Sequence, residues 1–407
     1  MSSNSSVPTT EELRAKYAPI FERIREGAVS RERERILPTE QIEWLKRAGF
    51  TGLRVPREFG GDGATLPQLF QLLVELATVD PHVPQAFRGH IAFVEDRLNA
   101  PESDDRTQWL TRFAAGEMVG NAVTEIGTVA VGDVRTKLSA SANGYTITGS
   151  KYYTTGSIFA EWIDTWCADP DGVEVAALVS TASPLVAVSD DWTGFGQRLT
   201  GSGTAVFAQA PVEAEHVYPW SERFAYQTAL YQLILVSVSA GIAKAALADA
   251  VEQVQTRART FSHGNTSETR RDPQVLESIG RMSANATAAE AVVVRAAEAL
   301  QKSFDVRGSS ADIIREAKEA GEIASAEAQI VATRVSLENS TALFEGLGAS
   351  AVDVKHVLDR HWRNARTVSS HNPVAFKARI VGDFLVNDEE PPYEWAIGVG
   401  KPTEGTK

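Results

Sequence analysis

From Pro219 to about residue 370 the chain is rich in alanine and reads as helix, broken only near Ser262 to Pro273, Arg307 to Ser310 and Gly346 to Ser350. Alanine carries no side-chain entropy cost in a helix, so the breaks, which concentrate Gly, Pro, Ser and Asn, mark the loops. They imply four antiparallel helices. Long helices joined by short loops hide their apolar stripes against one another, and the expected result is a four-helix bundle.

The two preceding segments have different characters. From about Thr9 to Glu117 the pattern is helical, with Thr9, Thr39, Thr65 and Ser103 as N-cap candidates and Pro38 near the start of a helix. Within it, Val55 to Gly63 (VPREFGGDG) reads as a turn connecting two helices. From Val119 to about Tyr218 short runs rich in Thr and Val, such as Tyr145 to Thr148 and Glu174 to Val179, are separated by Asn143-Gly144 and Asp169-Pro170-Asp171-Gly172. Turn signals at such short intervals predict an antiparallel barrel or sandwich, not alternating βαβ units. The fold class is therefore α+β. We expect an N-terminal helical domain over 1–118, a β domain over 119–219 and a helical bundle over 220–378. A tail over 379–407 is expected to be extended on the surface and mobile at its end.

Composition narrows the partners. The chain has 407 residues and a net charge of -13, with a pI near 5.2, so neither nucleic acid nor an anionic membrane finds a basic footprint. Cys167 is the single cysteine and cannot form an internal disulfide. The start, MSSNSSVPTTEEL, lacks a signal-peptide pattern, which points to the cytoplasm. The longest apolar run, around Leu233 to Ala243, is too short to span a bilayer and suits a buried helix.

Several motifs fail on context. Gly346 to Ala351 fits GxGxxA superficially, but no strand precedes it and no βαβ unit surrounds it. His356 and His361 are not spaced i, i+4, and no Cys or carboxylate cluster completes a metal set, so no metal is expected. No GxSxG elbow occurs. The informative segment is Asp359 to Pro373, DRHWRNARTVSSHNP, a basic, aromatic helix ending in His371, Asn372 and Pro373.

This segment resembles the C-terminal helix and catalytic loop of the acyl-CoA dehydrogenase superfamily. The resemblance covers essentially the whole chain, in the order helical domain, β domain, helical bundle. Dehydrogenases of the superfamily carry a glutamate base where this chain has Asn372, and the His-Asn-Pro loop is similar to that of the flavin-dependent monooxygenase branch. The second position at which some members carry a base corresponds here to Tyr231 and Gln232. Neither can abstract an α-proton as a carboxylate does.

The resemblance implies a set of site residues. Asn121, Val123 and Thr124 fall in the segment that lines the flavin pyrimidine edge. Thr155, after Tyr153 in KYYTTG, matches the residue that hydrogen-bonds flavin N5, and Trp192 in the Asp-Asp-Trp run lies near the ring and substrate cavity. Arg259 in TRARTF matches the arginine that reaches the cofactor phosphate, commonly across a subunit interface, although Arg257 is hard to separate from it. Ser350 stands where the monooxygenases carry a phosphate-binding arginine, a loss of a forked donor. His90 in FRGHIAF matches a cavity histidine, with helix packing as its structural alternative, and His371 is the proton donor.

Function follows as an expectation from the resemblance. Reduced FMN, with FAD possible, reacts with O2 through a C4a-(hydro)peroxyflavin and oxygenates a small aromatic or organosulfur substrate. His371, Thr155, His90 and Asn372 form the catalytic set. An NAD(P)H-dependent flavin reductase is the implied partner, and a homotetramer the implied assembly. The alternatives are an acyl-CoA dehydrogenase or oxidase, an N-oxygenase acting on an amine or amino sugar, and a non-catalytic helical scaffold.

Overall fold

Capping chemistry sets the N-terminal layer, as a computed structural model describing residues 7–127 and 133–394 shows. Thr9 accepts from the Glu12 backbone while the Glu12 carboxylate reaches back, and this capping box starts α1 (Thr10–Arg25). α2 (Ala28–Glu34) and α3 (Thr39–Arg47) follow. Thr39 is not the cap: Pro38 occupies that position and Thr39 is the first helical residue. A second capping box, Thr65 with Gln68, opens α4 (Leu66–Val79), which is followed by α5 (His82–Ala86) and α6 (Arg88–Asn99). Ser103 caps α7 (Asp104–Ala114).

The Val55 to Gly63 segment is a structural connection, as its composition suggests. Gly63 N–H donates to Val55 O at 2.9 Å, and Asp62 accepts from Tyr17 and pairs with Lys16 of α1. A Cβ on Gly61 would lie 2.1 Å from Val55 O, so no side chain fits there.

The β domain comprises β1 (Val119–Ala122), β2 (Lys137–Ser141), β3 (Gly144–Tyr152), β4 (Trp162–Ala168), β5 (Glu174–Ser180), β6 (Val186–Val188), β7 (Thr204–Val212) and β8 (Val217–Pro219). Its order is β6-β7-β3-β2-β4-β5-β8, with β1 beside β4. The sheet is mixed where an all-antiparallel one was expected, because β1 and β2 both run parallel to β4. The expected turns hold: Gly144 adopts φ +124° between β2 and β3, and Asp169 Oδ1 accepts from Asp171 and Val173 N–H in the β4–β5 turn. Gln209, at φ 62°, is the extra residue of a bulge where the β3–β7 register shifts.

The bundle is built from α8 (Gln227–Thr256), α9 (Pro273–Asp305), α10 (Ala311–Glu345), α11 (Arg360–Ser369) and α12 (Ala375–Asn387). α8 is long and apolar enough to cross a bilayer by length and composition, longer than the run visible between Leu233 and Ala243. Here α4, α9 and α10 pack around it, and Leu230 to Ala243 is buried except at Tyr231. The expected extended tail is corrected by α12, which stays helical to Asn387 and stops before Pro391-Pro392. Residues 395–407 of that tail, with 1–6 and 128–132, lie outside the described residues.

Buried ion pairs clamp the three parts together. Arg223, just before α8, pairs with Asp164 of β4 at 2.6 Å and Asp96 of α6 at 3.3 Å. Arg54 pairs with Glu95 at 2.6 Å, and Tyr226 donates to the same carboxylate at 2.6 Å. Behind α11, Glu32 of α2 lies 2.7 Å from Arg363 and 3.1 Å from His82, whose other ring nitrogen is 3.0 Å from Asp80.

Candidate active site

Around the clamp, β1, α6, α8, α10, the α11 loop and the turns 153–157 and 197–202 are linked by hydrogen bonds and close contacts. The end of β1 delivers Asn121, whose backbone packs so tightly on α6 that a Cβ on Gly89 would lie 2.9 Å from it. Ser157 donates to Asn121 O at 3.2 Å, and a Cβ on Gly156 would lie 2.0 Å from Ala86 O. The turn 153–157 is therefore held against α5, α6 and β1. Asn121 Oδ1 is buried with no partner, as are both amide atoms of Gln197, a residue held at φ 49°. Buried polar atoms without partners are uncommon and point to a missing ligand or water.

Thr155 belongs to a chain of hydroxyls whose proton direction is determined. Its Oγ1 lies 2.6 Å from Ser202 Oγ, which lies 2.7 Å from Thr200 Oγ1, and Thr200 donates to Gln197 O at 3.1 Å. A carbonyl only accepts, so Thr200 gives it its single proton, Ser202 donates to Thr200, and Thr155 donates to Ser202. Thr155 Oγ1 is left as an acceptor. The chain continues through Gln197 N–H, which donates to Asn364 Oδ1 of α11 at 2.6 Å.

α11 then leads into the His371 loop. Asn372 is fixed at both ends: its Nδ2 donates to Gln232 Oε1 at 2.7 Å and its carbonyl accepts from Gln329 Nε2 at 2.7 Å. Asn372 thus meets two other amides, Gln232 and Gln329, and no carboxylate is among its hydrogen-bond partners in the described residues. His371 is open to solvent on one side. Desolvation by the protein on the other, then the positive charge of Arg88, push its imidazole below the ordinary histidine range, and Asn372 opposes this weakly. The ring is neutral near pH 7.

The sequence reading missed Arg88. This side chain lies over the Tyr231 ring at 4.4 Å and donates from Nε to Tyr231 O at 3.2 Å. Burial lowers its pKa to about 10, partly offset by Tyr231. A lone arginine in the apolar FRGHIAF helix was the signal available for it. Ser202, Thr200 and Gln197 carried no signal beyond an ordinary polar turn.

Other expected residues fall elsewhere. His90 is corrected from cavity to core: its Nε2 donates to Thr51 O at 2.8 Å and its Nδ1 accepts from Val119 N–H at 3.3 Å. It is edge-on to Phe87 and Phe113, and burial pulls its pKa down to about 4. Val123 and Thr124 lie on the strap after β1, with carbonyls accepting from Lys151 and Tyr152. Trp192 anchors its own loop by donating to Gly196 O at 3.0 Å, with Tyr153 edge-on at 5.9 Å. Tyr153 adopts φ 60° and is 43% exposed, an uncommon conformation for a bulky residue.

Arg259 and Ser350 are remote from this cluster within one chain. Arg257 reaches Leu347 O and Ser350 Oγ, whereas Arg259 is exposed and only its carbonyl is used. Both lie beyond the far end of α8: from Tyr231 to Thr256 is 256 − 231 = 25 residues, roughly 37 Å of helix. His361 is committed to Asp249 at 2.7 Å. A polar groove lined by Gln274, Arg281, Asn285 and Glu338 on α9 and α10 contains none of the residues above.

Comparison with known proteins gives the family. Residues 8–117 match the acyl-CoA dehydrogenase N-terminal domain, and residues 233–376 match its C-terminal domain. A dibenzothiophene monooxygenase from Mycolicibacterium goodii is 30% identical over 373 residues, 87% of this chain and 88% of the relative. The chain belongs to the acyl-CoA dehydrogenase superfamily. Within that superfamily its likeness is to flavin monooxygenases. Methanesulfinate monooxygenase from Pseudomonas fluorescens superposes with a TM-score of 0.84 at 25% identity, over 93% of this chain and 98% of the other. FMN-bound TdsC from Paenibacillus sp. A11-2 gives 0.84 at 28% identity with the same coverage.

Proposed function

We propose that this chain is a flavin-dependent monooxygenase that uses reduced FMN and O2 to oxygenate a small organic substrate. One observation supports the reading: Asn372, at the position the resemblance gives to the dehydrogenase base, is an amide bonded to the amide of Gln232. With Tyr231 and Gln232 at the second such position, neither supplies a carboxylate. The residues fit a flavin. Asn121 Oδ1 and the Gln197 amide are buried polar atoms awaiting partners, and Thr155 offers an acceptor. Reduced FMN carries an N–H at N5 that oxidised FMN lacks, and it supplies the two electrons that activate O2 when bound.

On this reading the chain's own groups orient and exclude water. Thr155 accepts from the ring N–H, Asn121 and the neighbouring strap hold the pyrimidine edge, and Trp192 with Tyr153 borders the cavity. His371, neutral and unpaired with any carboxylate, holds a proton at its ring nitrogen toward the reacting oxygen. The adjacent Asn372 fixes the loop that carries it. FMN fits the forkless Ser350 turn less well than an arginine would allow, and FAD is the second cofactor to test.

Arg259 and Ser350 reach a phosphate only if they serve a flavin held by another copy, since one chain separates them from Arg88 and Tyr231 by the length of α8. This calls for at least a second copy of the chain, and a homotetramer acting in the cytoplasm with a separate NAD(P)H-dependent flavin reductase is proposed. Dibenzothiophene and methanesulfinate are the substrates named for the relatives, and an organosulfur or aromatic substrate is proposed here.

The test is turnover with photoreduced FMN. Thr155→Ala and His371→Ala should still bind FMN but release hydrogen peroxide at the expense of product, with coupling lowered about tenfold or more. Full coupling in His371→Ala would remove its assigned role. Bleaching of bound flavin by an acyl-CoA under anaerobic conditions would instead identify a dehydrogenase.

A further inference from the structure

Arg88, like Arg112 on the Trp109 and Trp162 rings, differs from the ion-paired arginines of the described residues. Arg54, Arg31 and Arg223 each meet at least one carboxylate. Arg88 meets none among the described residues, and its only hydrogen bond is from Nε to Tyr231 O. Its two terminal amino groups make no hydrogen bond, and they are absent from the buried atoms left without partners, so they face open space. The guanidinium is nevertheless half-buried, fixed on an aromatic face, and close enough to His371 for its charge to act on that ring.

A half-buried cation fixed on an aromatic face, with its terminal amino groups open and no counter-ion among the described residues, is a ready seat for an anionic ligand. Fork geometry selects what that ligand is: two parallel N–H groups match a head with two equivalent oxygens. Asn372 Nδ2 is taken by Gln232 Oε1, and the neutral His371 adds no repulsion toward an anion.

We propose that Arg88 is the specificity-determining residue of this site and seats a substrate with a two-oxygen anionic head, a sulfinate or a carboxylate, beside His371. This rests on the monooxygenase reading for the identity of the cavity, but the anion subsite is tested separately from flavin chemistry. It divides the substrates named for the relatives: methanesulfinate has such a head, and dibenzothiophene has none.

The experiment is calorimetric titration of the FMN-loaded protein with benzenesulfinate, benzoate and methyl phenyl sulfoxide, the last a neutral analogue of the first. In the parent protein at least one anion should bind about 10- to 100-fold tighter than the sulfoxide, the range of a charge-assisted contact. Which anion binds more tightly distinguishes sulfur as the seated group from a carboxylate handle. In Arg88→Met the preference should vanish, and in Arg88→Lys it should fall part-way because the fork is lost. FMN affinity should be the same in all three. Equal binding of sulfoxide and anions by the parent overturns the proposal, and so does an anion preference that survives Arg88→Met. A loss of FMN affinity in Arg88→Met with unchanged anion preference also overturns it, because the counter-ion would then be the flavin. Should Arg88→Met fail to fold by circular dichroism, Arg88→Lys decides: a preference equal to the parent's refutes the assignment. If the parent binds no FMN at all, the monooxygenase reading fails, and the same titrations without flavin still decide the role of Arg88.

Discussion

Arg223 and Arg88 flank the same junction of helical domain, sheet and bundle, yet they are treated oppositely. Arg223 is enclosed by Asp164 and Asp96 and joins α6 to β4. Arg88, on the same helix as Asp96, meets the ring and carbonyl of Tyr231 and no carboxylate among the described residues. A buried charge enclosed by its counter-charges holds a fold together, whereas one left open holds a place for something else. The same contrast separates Glu32, in contact with His82 and Arg363, from His371, which pairs with no carboxylate among the described residues.

The largest effect expected is from breaking the enclosed arginine. Arg223→Met strands two buried carboxylates, and denaturant unfolding should show a loss of about 3–5 kcal/mol. Arg88→Met removes a charge with no partner, and the same measurement should move by no more than about 1 kcal/mol. Equal losses in the two variants would erase the distinction.

A second test uses pH. Burial pulls the His82 pKa down, but the charge of Glu32 and hydrogen bonds to Asp80 and Glu32 prevail and raise it to about 9. A group whose folded pKa is raised contributes fully below its unfolded value near 6.5 and loses that contribution as pH climbs through 9. Stability should therefore fall on the order of 3 kcal/mol between pH 6.5 and 9. His82→Gln should flatten that slope while leaving the response to anions at Arg88 intact.

The smallest effect separates the two arginines after α8. Arg259→Gln should weaken FMN binding about tenfold with stability unchanged, because its side chain is exposed. Arg257→Gln should loosen the 347–350 turn, a loss of about 1 kcal/mol, since its guanidinium holds Leu347 O and Ser350 Oγ. The reverse pattern would exchange their roles.

Much of the architecture was legible because it rests on local chemistry. Breaks in the alanine-rich run lie where Gly, Pro and Ser cannot continue a helix, and the Thr9, Thr65 and Ser103 caps are side-chain properties read in place. The parallel placement of β1 was not legible, because it depends on pairing Val119 with Trp162, far along the chain. Pro38 displaced Thr39 from its cap by one position, and α12 extended into a stretch whose Asp, Glu and Pro suggested extension. In the site, Thr155, His371 and Asn372 stood out by order of motifs. His90 was misread because a histidine in an apolar helix looks the same whether its nitrogens meet backbone or solvent. Arg88 went unnoticed for a related reason: the absence of a counter-ion is a fact of three dimensions.

The unanswered amides of Asn121 and Gln197 have a consequence for handling the protein. Each leaves a buried polar atom without a partner among the described residues, and Gln197 holds its backbone at φ 49° besides. A ligand that binds only the folded chain raises its apparent stability by RT ln(1 + [L]/Kd), about 2.7 kcal/mol at a hundredfold excess over Kd. The melting temperature thus becomes an occupancy gauge, able to rank flavins and candidate substrates before any product has been identified.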